Sequence, residues 1–171
     1  MENSSLKKIQ AIFMDVDGVL TNGKIILGTN NTELKEFNVK DGLAITIAKK
    51  QGLKIGFITS RTSEVVERRG RELGVDFLFQ GVTDKLLKLK EIGSSKNISL
   101  ENICYIGDDL PDLDALLAVG FSATVSDACE EVNSRVAFVS TKKGGEGAVR
   151  EIIETILKAQ DKWIANKSPG V

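Results

Sequence analysis

Histidine is absent from the 171 residues, and that gap removes several chemistries at once. Ser-His-Asp triads, Cys-His dyads and His-bound zinc sites all require an imidazole. The two cysteines, Cys104 and Cys129, lie far apart with no CxxC spacing, so they read as buried or incidental thiols rather than a redox pair. Acid–base work therefore falls to carboxylates, lysines or the single tyrosine, Tyr105. No apolar run is long enough to cross a bilayer. The N-terminal MENSSLKKIQ lacks the apolar centre of a secretory signal, and a cytoplasmic protein away from any membrane is expected. Neither sign of charge dominates: 23 basic residues face 24 acidic ones. A nucleic-acid partner held by a broad basic surface is not expected.

What is present is an ordinary globular composition, 42% hydrophobic and 27% charged. The length suits one domain over 1–171 with a sizeable core. Apolar runs of strand length alternate with segments of helical period. AIFMD (11–15) is continuously apolar and then stops at acidic residues and glycine, the pattern of a buried strand. DGLAITIAKKQ (41–51), with Gly52 just past its end, suits a helix. KIGFIT (54–59) is a second buried strand and TSEVVERRGREL (62–73) a helix ending at Gly74. FLFQG (77–81) is a third strand, followed by a helix over DKLLKLKEIGSS (84–95) capped by Thr83 or Asp84. ICYIG (103–107) is a fourth, and PDLDALLAVG (111–120) a helix that tolerates Pro111 in its first turn. FSATV and VAFVS are further strands around the short helix DACEEVNS, and EGAVREIIETILKAQDKW (146–163) is a closing amphipathic helix. The tail over 165–171 is expected to be mobile.

This alternation predicts an α/β fold: a three-layer, doubly wound parallel sheet with helices on both faces. Residues 20–38 depart from it and read as a β-hairpin turning around Gly28 to Asn31. An isolated two-stranded ribbon is marginal in water, so the hairpin should pack on the domain or on another subunit.

Ligands in such sheets bind beyond the carboxyl ends of the central strands. The residues just past those ends are Asp15 and Asp17 with Gly18, then Thr59, Ser60 and Arg61, then Lys85, then Asp108, Asp109 and Asp112. Clustered carboxylates repel unless a cation intervenes, and a hard oxygen-seeking ion such as Mg²⁺ is the natural occupant. A carboxylate can attack phosphorus, and a second one two residues on can act as acid and then base. Thr59 can hold phosphoryl oxygens, and Lys85 can offset their charge. Taken singly, DxDG and GDD are common turns, Thr59 is a helix cap and Lys85 a surface lysine. Four elements in order, each at its own strand or crossover end, are poorly explained by chance.

The motifs DVDGV (15–19), ITS (58–60), Lys85 and GDDLPD (107–112) resemble those of the haloacid dehalogenase superfamily of phosphohydrolases. The resemblance implies Asp15 as nucleophile, Asp17 as acid/base, and Mg²⁺ held by Asp15, the Asp17 carbonyl and Asp108, with Asp109 or Asp112 in support. It also implies phosphate binding by Thr59 and Ser60, with Lys85 bridging to the nucleophile. Neither interval between these motifs can hold a cap domain, so an open site lidded by a neighbouring subunit's hairpin is expected.

FNVKDG (37–42), TSR (59–61), LFQGVTDKL (78–86), YIGDDLPD (105–112) and GGEGAVRE (144–151) narrow the resemblance. They are similar to one uncapped branch, the phosphatases of 3-deoxy-D-manno-octulosonate 8-phosphate, over about residues 8 to 162. That implies a homotetramer acting on an acidic sugar phosphate in lipopolysaccharide biosynthesis. Arg61 is then the first choice to face the substrate carboxylate and Arg69 the second. Two alternatives stay open: a phosphatase of a nine-carbon 2-keto-3-deoxy acid 9-phosphate, and a non-catalytic tetramerisation module. One departure is Ser60, where the branch usually has Gly.

Overall fold

The computed structural model describes residues 3–30 and 32–163; the expected mobile tail lies outside the described residues. Its centre is β1 (Ala11–Met14), four residues with no solvent exposure on either face. Ile12 and Met14 enter one hydrophobic cluster while Ala11 and Phe13 enter the other, as the alternation of a strand demands. Around it lie β4 (Lys54–Ile58), β5 (Phe77–Phe79), β6 (Ile103–Ile106), β7 (Phe121–Thr124) and β8 (Phe138–Val139). All pair in parallel in the order β5-β4-β1-β6-β7-β8. The chain winds outward from β1 in one direction and then in the other, so β1 marks the switch point where such sheets open a crevice.

Helices cover both faces. α2 (Val39–Lys50), α3 (Glu64–Leu73) and α7 (Ala148–Ala159) bury Ala44, Ile45, Val66, Ile152, Ile153 and Ile156 against one side. α4 (Lys85–Lys96), α5 (Leu113–Ala118) and the single turn α6 (Glu130–Asn133) bury Leu89, Ile92, Ala115, Leu116 and Val132 against the other. This is the expected three-layer sheet, with no cap domain among the described residues.

Local chemistry moves several expected boundaries. α2 starts two residues earlier than predicted because the Asn38 side chain accepts a hydrogen bond from Lys40 N at 2.8 Å, a standard N-cap. Asp84, not Thr83, caps α4 by accepting from Leu87 N. The predicted helix over 111–120 breaks in two: a 3₁₀ turn at Leu110–Asp112, capped by Asp109, precedes α5. α7 is shorter than 146–163, bounded by left-handed backbone at Gly147 and Asp161. A short helix, α1 (Asn3–Lys7), was not anticipated. It is tied down by the Gln160 amide, which donates to the carbonyls of Leu6 and Ile9.

The hairpin forms where the pattern placed it. β2 (Ile26–Leu27) pairs antiparallel with β3 (Glu33–Leu34), and Gly28 N donates to Thr32 O to close the turn. Its apolar side chains face water: Leu27 is 75% exposed and Leu34 56%.

Candidate active site

At the carboxyl ends of β1, β4 and β6 lies an open cleft of about 180 Å³, lined by Asp15, Asp17, Thr59, Ser60, Arg61, Lys85, Asp108, Asp109, Pro111 and Asp112. Every predicted site residue except Arg69 is therefore in one place. A larger depression of about 750 Å³ runs along α3 between Glu64, Arg68 and Arg71. It presents only the outer side chains of one helix and gathers no comparable chemistry.

Lys85 organises the cleft floor. It opens α4, where a cation opposes the helix dipole, and only 2% of it is exposed. Its ammonium donates to Asp15 Oδ2 at 2.7 Å and to Asp112 Oδ1 at 2.6 Å. Burial alone would depress its pKa, but the charges of Asp15 and Asp112 outweigh that and raise it. Asp112 is itself saturated. Oδ1 also accepts from the buried Tyr105 hydroxyl at 2.7 Å, and Oδ2 accepts from the backbone N–H groups of Asp108 and Asp109. Desolvation, then the charge of Asp112, hold the Tyr105 hydroxyl well above its ordinary pKa, so it acts as a fixed donor.

Asp15 Oδ1 accepts from Val16 N at 2.6 Å, which fixes the carboxylate at the strand end. Burial, followed by repulsion from Asp112, pushes its pKa up to about 6. The same two causes, with Asp15 next, push Asp108 up to about 8. Two neighbouring carboxylates that resist ionisation need a compensating cation.

One oxygen each of Asp15, Asp108 and Asp112 lies within 4.8 Å of the others. Asp112 has already used the roughly four lone-pair positions of a carboxylate, so it supports rather than ligates. Asp108 is the opposite case, since its Oδ1 is buried with no hydrogen-bond partner. An orphaned carboxylate oxygen beside a second carboxylate fits Mg²⁺, which takes one or two such ligands plus waters. Asp17 turns its carboxylate toward Lys35 and Arg61, which leaves its backbone carbonyl for an ion.

Glycine makes the approach of these groups feasible. Gly18 has φ +92°, and a β-carbon there would fall 2.0 Å from Asp108 Oδ2. The GGEG segment packs on the same loop: a β-carbon on Gly144 would fall 1.8 Å from Gly18 O.

Thr59 is buried, with its Oγ1 accepting weakly from Arg61 N at 3.4 Å, and Ser60 is exposed at the rim. Ser60 does not adopt positive φ, so replacing the usual Gly adds a hydroxyl without backbone strain. Arg61 lines the cleft, with Nε 3.8 Å from Asp17 Oδ2. Arg69 does not reach it. Its guanidinium stacks 5.6 Å from the Phe37 ring, pairs with Glu72 at 3.4 Å and covers Gly42. It lies on the side of α3 that packs on α2, which takes it away from the strand ends. Lys35, which pairs with Asp17, and Glu33, which pairs with Lys35 and Arg61, were not singled out from the sequence. They belong to the hairpin, and no strand-end rule points to them.

A family profile described as haloacid dehalogenase-like hydrolase matches residues 77–153, which carry Lys85, Asp108 and Asp112. The curated 3-deoxy-D-manno-octulosonate 8-phosphate phosphatase KdsC of Escherichia coli K12 is 40% identical over 165 residues, spanning 96% of this chain and 88% of that one. A crystal structure of 3-deoxy-D-manno-octulosonate 8-phosphate phosphatase from Moraxella catarrhalis, in complex with magnesium ion, phosphate ion and KDO, superposes with a TM-score of 0.93. It is 43% identical and covers 95% of this chain and 94% of that one. The cobalt-bound phosphatase from Haemophilus influenzae gives a TM-score of 0.91 at 34% identity, with 96% of each chain covered. The chain belongs to the KdsC family of haloacid dehalogenase-like hydrolases.

Proposed function

We propose that this chain is a magnesium-dependent phosphatase that hydrolyses 3-deoxy-D-manno-octulosonate 8-phosphate to the free sugar acid and phosphate, serving lipopolysaccharide biosynthesis in the cytoplasm. The observation that carries this reading is the convergence of Asp15, Thr59, Lys85 and Asp108 on one cleft in a chain of this family.

The site residues then divide the work. The Asp15 carboxylate attacks phosphorus while Asp17 protonates the departing sugar oxygen. Asp17 next accepts a proton from the water that cleaves the aspartyl-phosphate. Lys85, held between Asp15 and Asp112, neutralises charge on the phosphoryl oxygens, and Thr59 and Ser60 hydrogen-bond to them. Magnesium, held by Asp15, Asp108 and the Asp17 carbonyl, supplies further charge neutralisation when bound. Asp109 caps the turn that presents Asp112. Arg61 faces the sugar carboxylate; Arg69 supports the packing of α3.

The described residues contain no helix long and apolar enough to cross a membrane, and the whole chain acts as one domain. We assign it to a homotetramer joined through the hairpins. Support comes from the exposed Ile26, Leu27 and Leu34, on the same hairpin that carries Lys35 to Asp17 and Glu33 to Arg61.

The test is phosphate release from the eight-carbon ester with Mg²⁺, with Asp15→Asn beside wild type. Wild type should turn over and the variant should lose at least about a thousandfold. Retained turnover in Asp15→Asn would remove Asp15 as nucleophile. A higher kcat/KM for a nine-carbon 9-phosphate would reassign the substrate.

A further inference from the structure

The side chain of Lys35 is wholly buried although its neighbours Leu34 and Glu36 face solvent. An ammonium removed from water needs a hydrogen-bonding partner. That partner is Asp17, whose Oδ1 accepts a hydrogen bond from Lys35 Nζ. Glu33 Oε1 lies 3.5 Å from the same nitrogen and 3.6 Å from an Arg61 guanidinium nitrogen. The second oxygen of Asp17 is different. Oδ2 is buried, accepts no hydrogen bond, and has Arg61 Nε 3.8 Å away. One oxygen is tethered to the hairpin and the other is unpartnered in a residue that lines the cleft.

We propose that Lys35 is a positioning residue for Asp17: by holding Oδ1, it aims Oδ2 at the leaving oxygen of the phosphoester. This rests on the phosphatase reading above. The terminal torsion of an aspartate is soft, so an untethered Asp17 would sample many orientations around the reacting bond. Fixing such a group is worth orders of magnitude in rate when proton transfer accompanies bond breaking.

As the Asp15–phosphorus bond forms, the ester P–O bond breaks and its electron pair stays on the sugar oxygen. That oxygen takes the proton from Asp17 Oδ2. In the second half, water attacks phosphorus, its proton goes to Asp17, and the bond to Asp15 breaks.

Two esters separate this role from simple support of the hairpin. A sugar alkoxide needs a proton to leave, whereas p-nitrophenolate leaves without one. With the full chain and Mg²⁺, Lys35→Met should lower kcat on the sugar ester about tenfold to a hundredfold. The p-nitrophenolate burst from p-nitrophenyl phosphate, which reports formation of the aspartyl-phosphate before Asp17 is needed as base, should stay within about threefold of wild type in Lys35→Met. Lys35→Arg should recover most of the sugar-ester rate.

Equal losses in sugar-ester kcat and in the p-nitrophenolate burst would overturn the proposal, leaving Lys35 as structural support. A raised KM with unchanged kcat would also overturn it, by making Lys35 a substrate contact. Where Lys35→Met does not fold by circular dichroism, Lys35→Gln is read in the same way. If wild type turned over neither ester, the phosphatase reading itself would fail.

Discussion

Gly18 and Asp108 come from different strand ends and touch so closely that no side chain fits between them. A β-carbon on Gly18 would fall 2.0 Å from Asp108 Oδ2, and the +92° φ of Gly18 is unfavourable for any other residue. Gly18→Ala should therefore destabilise the fold by about 1–3 kcal/mol through backbone strain. It should also displace Asp108 and weaken Mg²⁺ binding by at least tenfold, as read by calorimetric titration. Unchanged magnesium affinity would show that Asp108 is not a ligand.

Asp112 accepts from Lys85, Tyr105 and two backbone N–H groups. Asp112→Ala leaves all four donors without that acceptor and should cost about 3–5 kcal/mol in urea unfolding. Tyr105→Phe removes only one of the four and should cost about 1 kcal/mol. If the two variants had equal midpoints, Asp112 would not be the hub the geometry makes it.

Stability without metal should fall as pH rises. Asp15 is raised to about 6 and Asp108 to about 8 in the folded protein, whereas both titrate near 3.9 unfolded. Between roughly pH 4 and 8 the native state therefore holds more protons than the unfolded state, and deprotonation works against folding. Melting scans with EDTA should show Tm decreasing from pH 5 to pH 8. The increase in Tm on adding Mg²⁺ should grow over the same interval, because the ion binds the ionised pair. A magnesium shift independent of pH would contradict the assignment of Asp15 and Asp108 as ligands.

Leu27→Glu combined with Leu34→Glu places charge on the exposed apolar side of the hairpin. The proposed tetramer should dissociate in sedimentation velocity, and kcat/KM on the sugar ester should fall. A wild-type monomer with full activity would refute the hairpin-mediated assembly.

Most of the fold and the cleft floor was legible from sequence, for a definite reason. In a parallel sheet buried on both sides, strands are continuous apolar runs such as AIFM and ICYI, and function collects where those runs stop. Asp15, Thr59, Lys85 and Asp108 all obey that rule. Lys35 and Glu33 do not, since tertiary folding of the hairpin brings them to Asp17 and Arg61 and leaves no local signal. Arg69 shows the converse error. Its position one to two helical turns after Arg61 suggested the cleft, but helical geometry swings it toward Phe37 and Gly42. The 3₁₀ break at Leu110–Asp112 was hidden because the Asp109 cap that starts it looks like an ordinary loop residue.

The pairing of β1 with β6 sets residue 11 opposite residue 103, and Asp15 meets Asp108 only after that pairing closes. Closing so long a loop is slow and entropically opposed. The cation site therefore does not exist in the early, locally structured chain. During refolding from denaturant, magnesium should not speed the collapse, and activity should return last, after the helical signal has recovered.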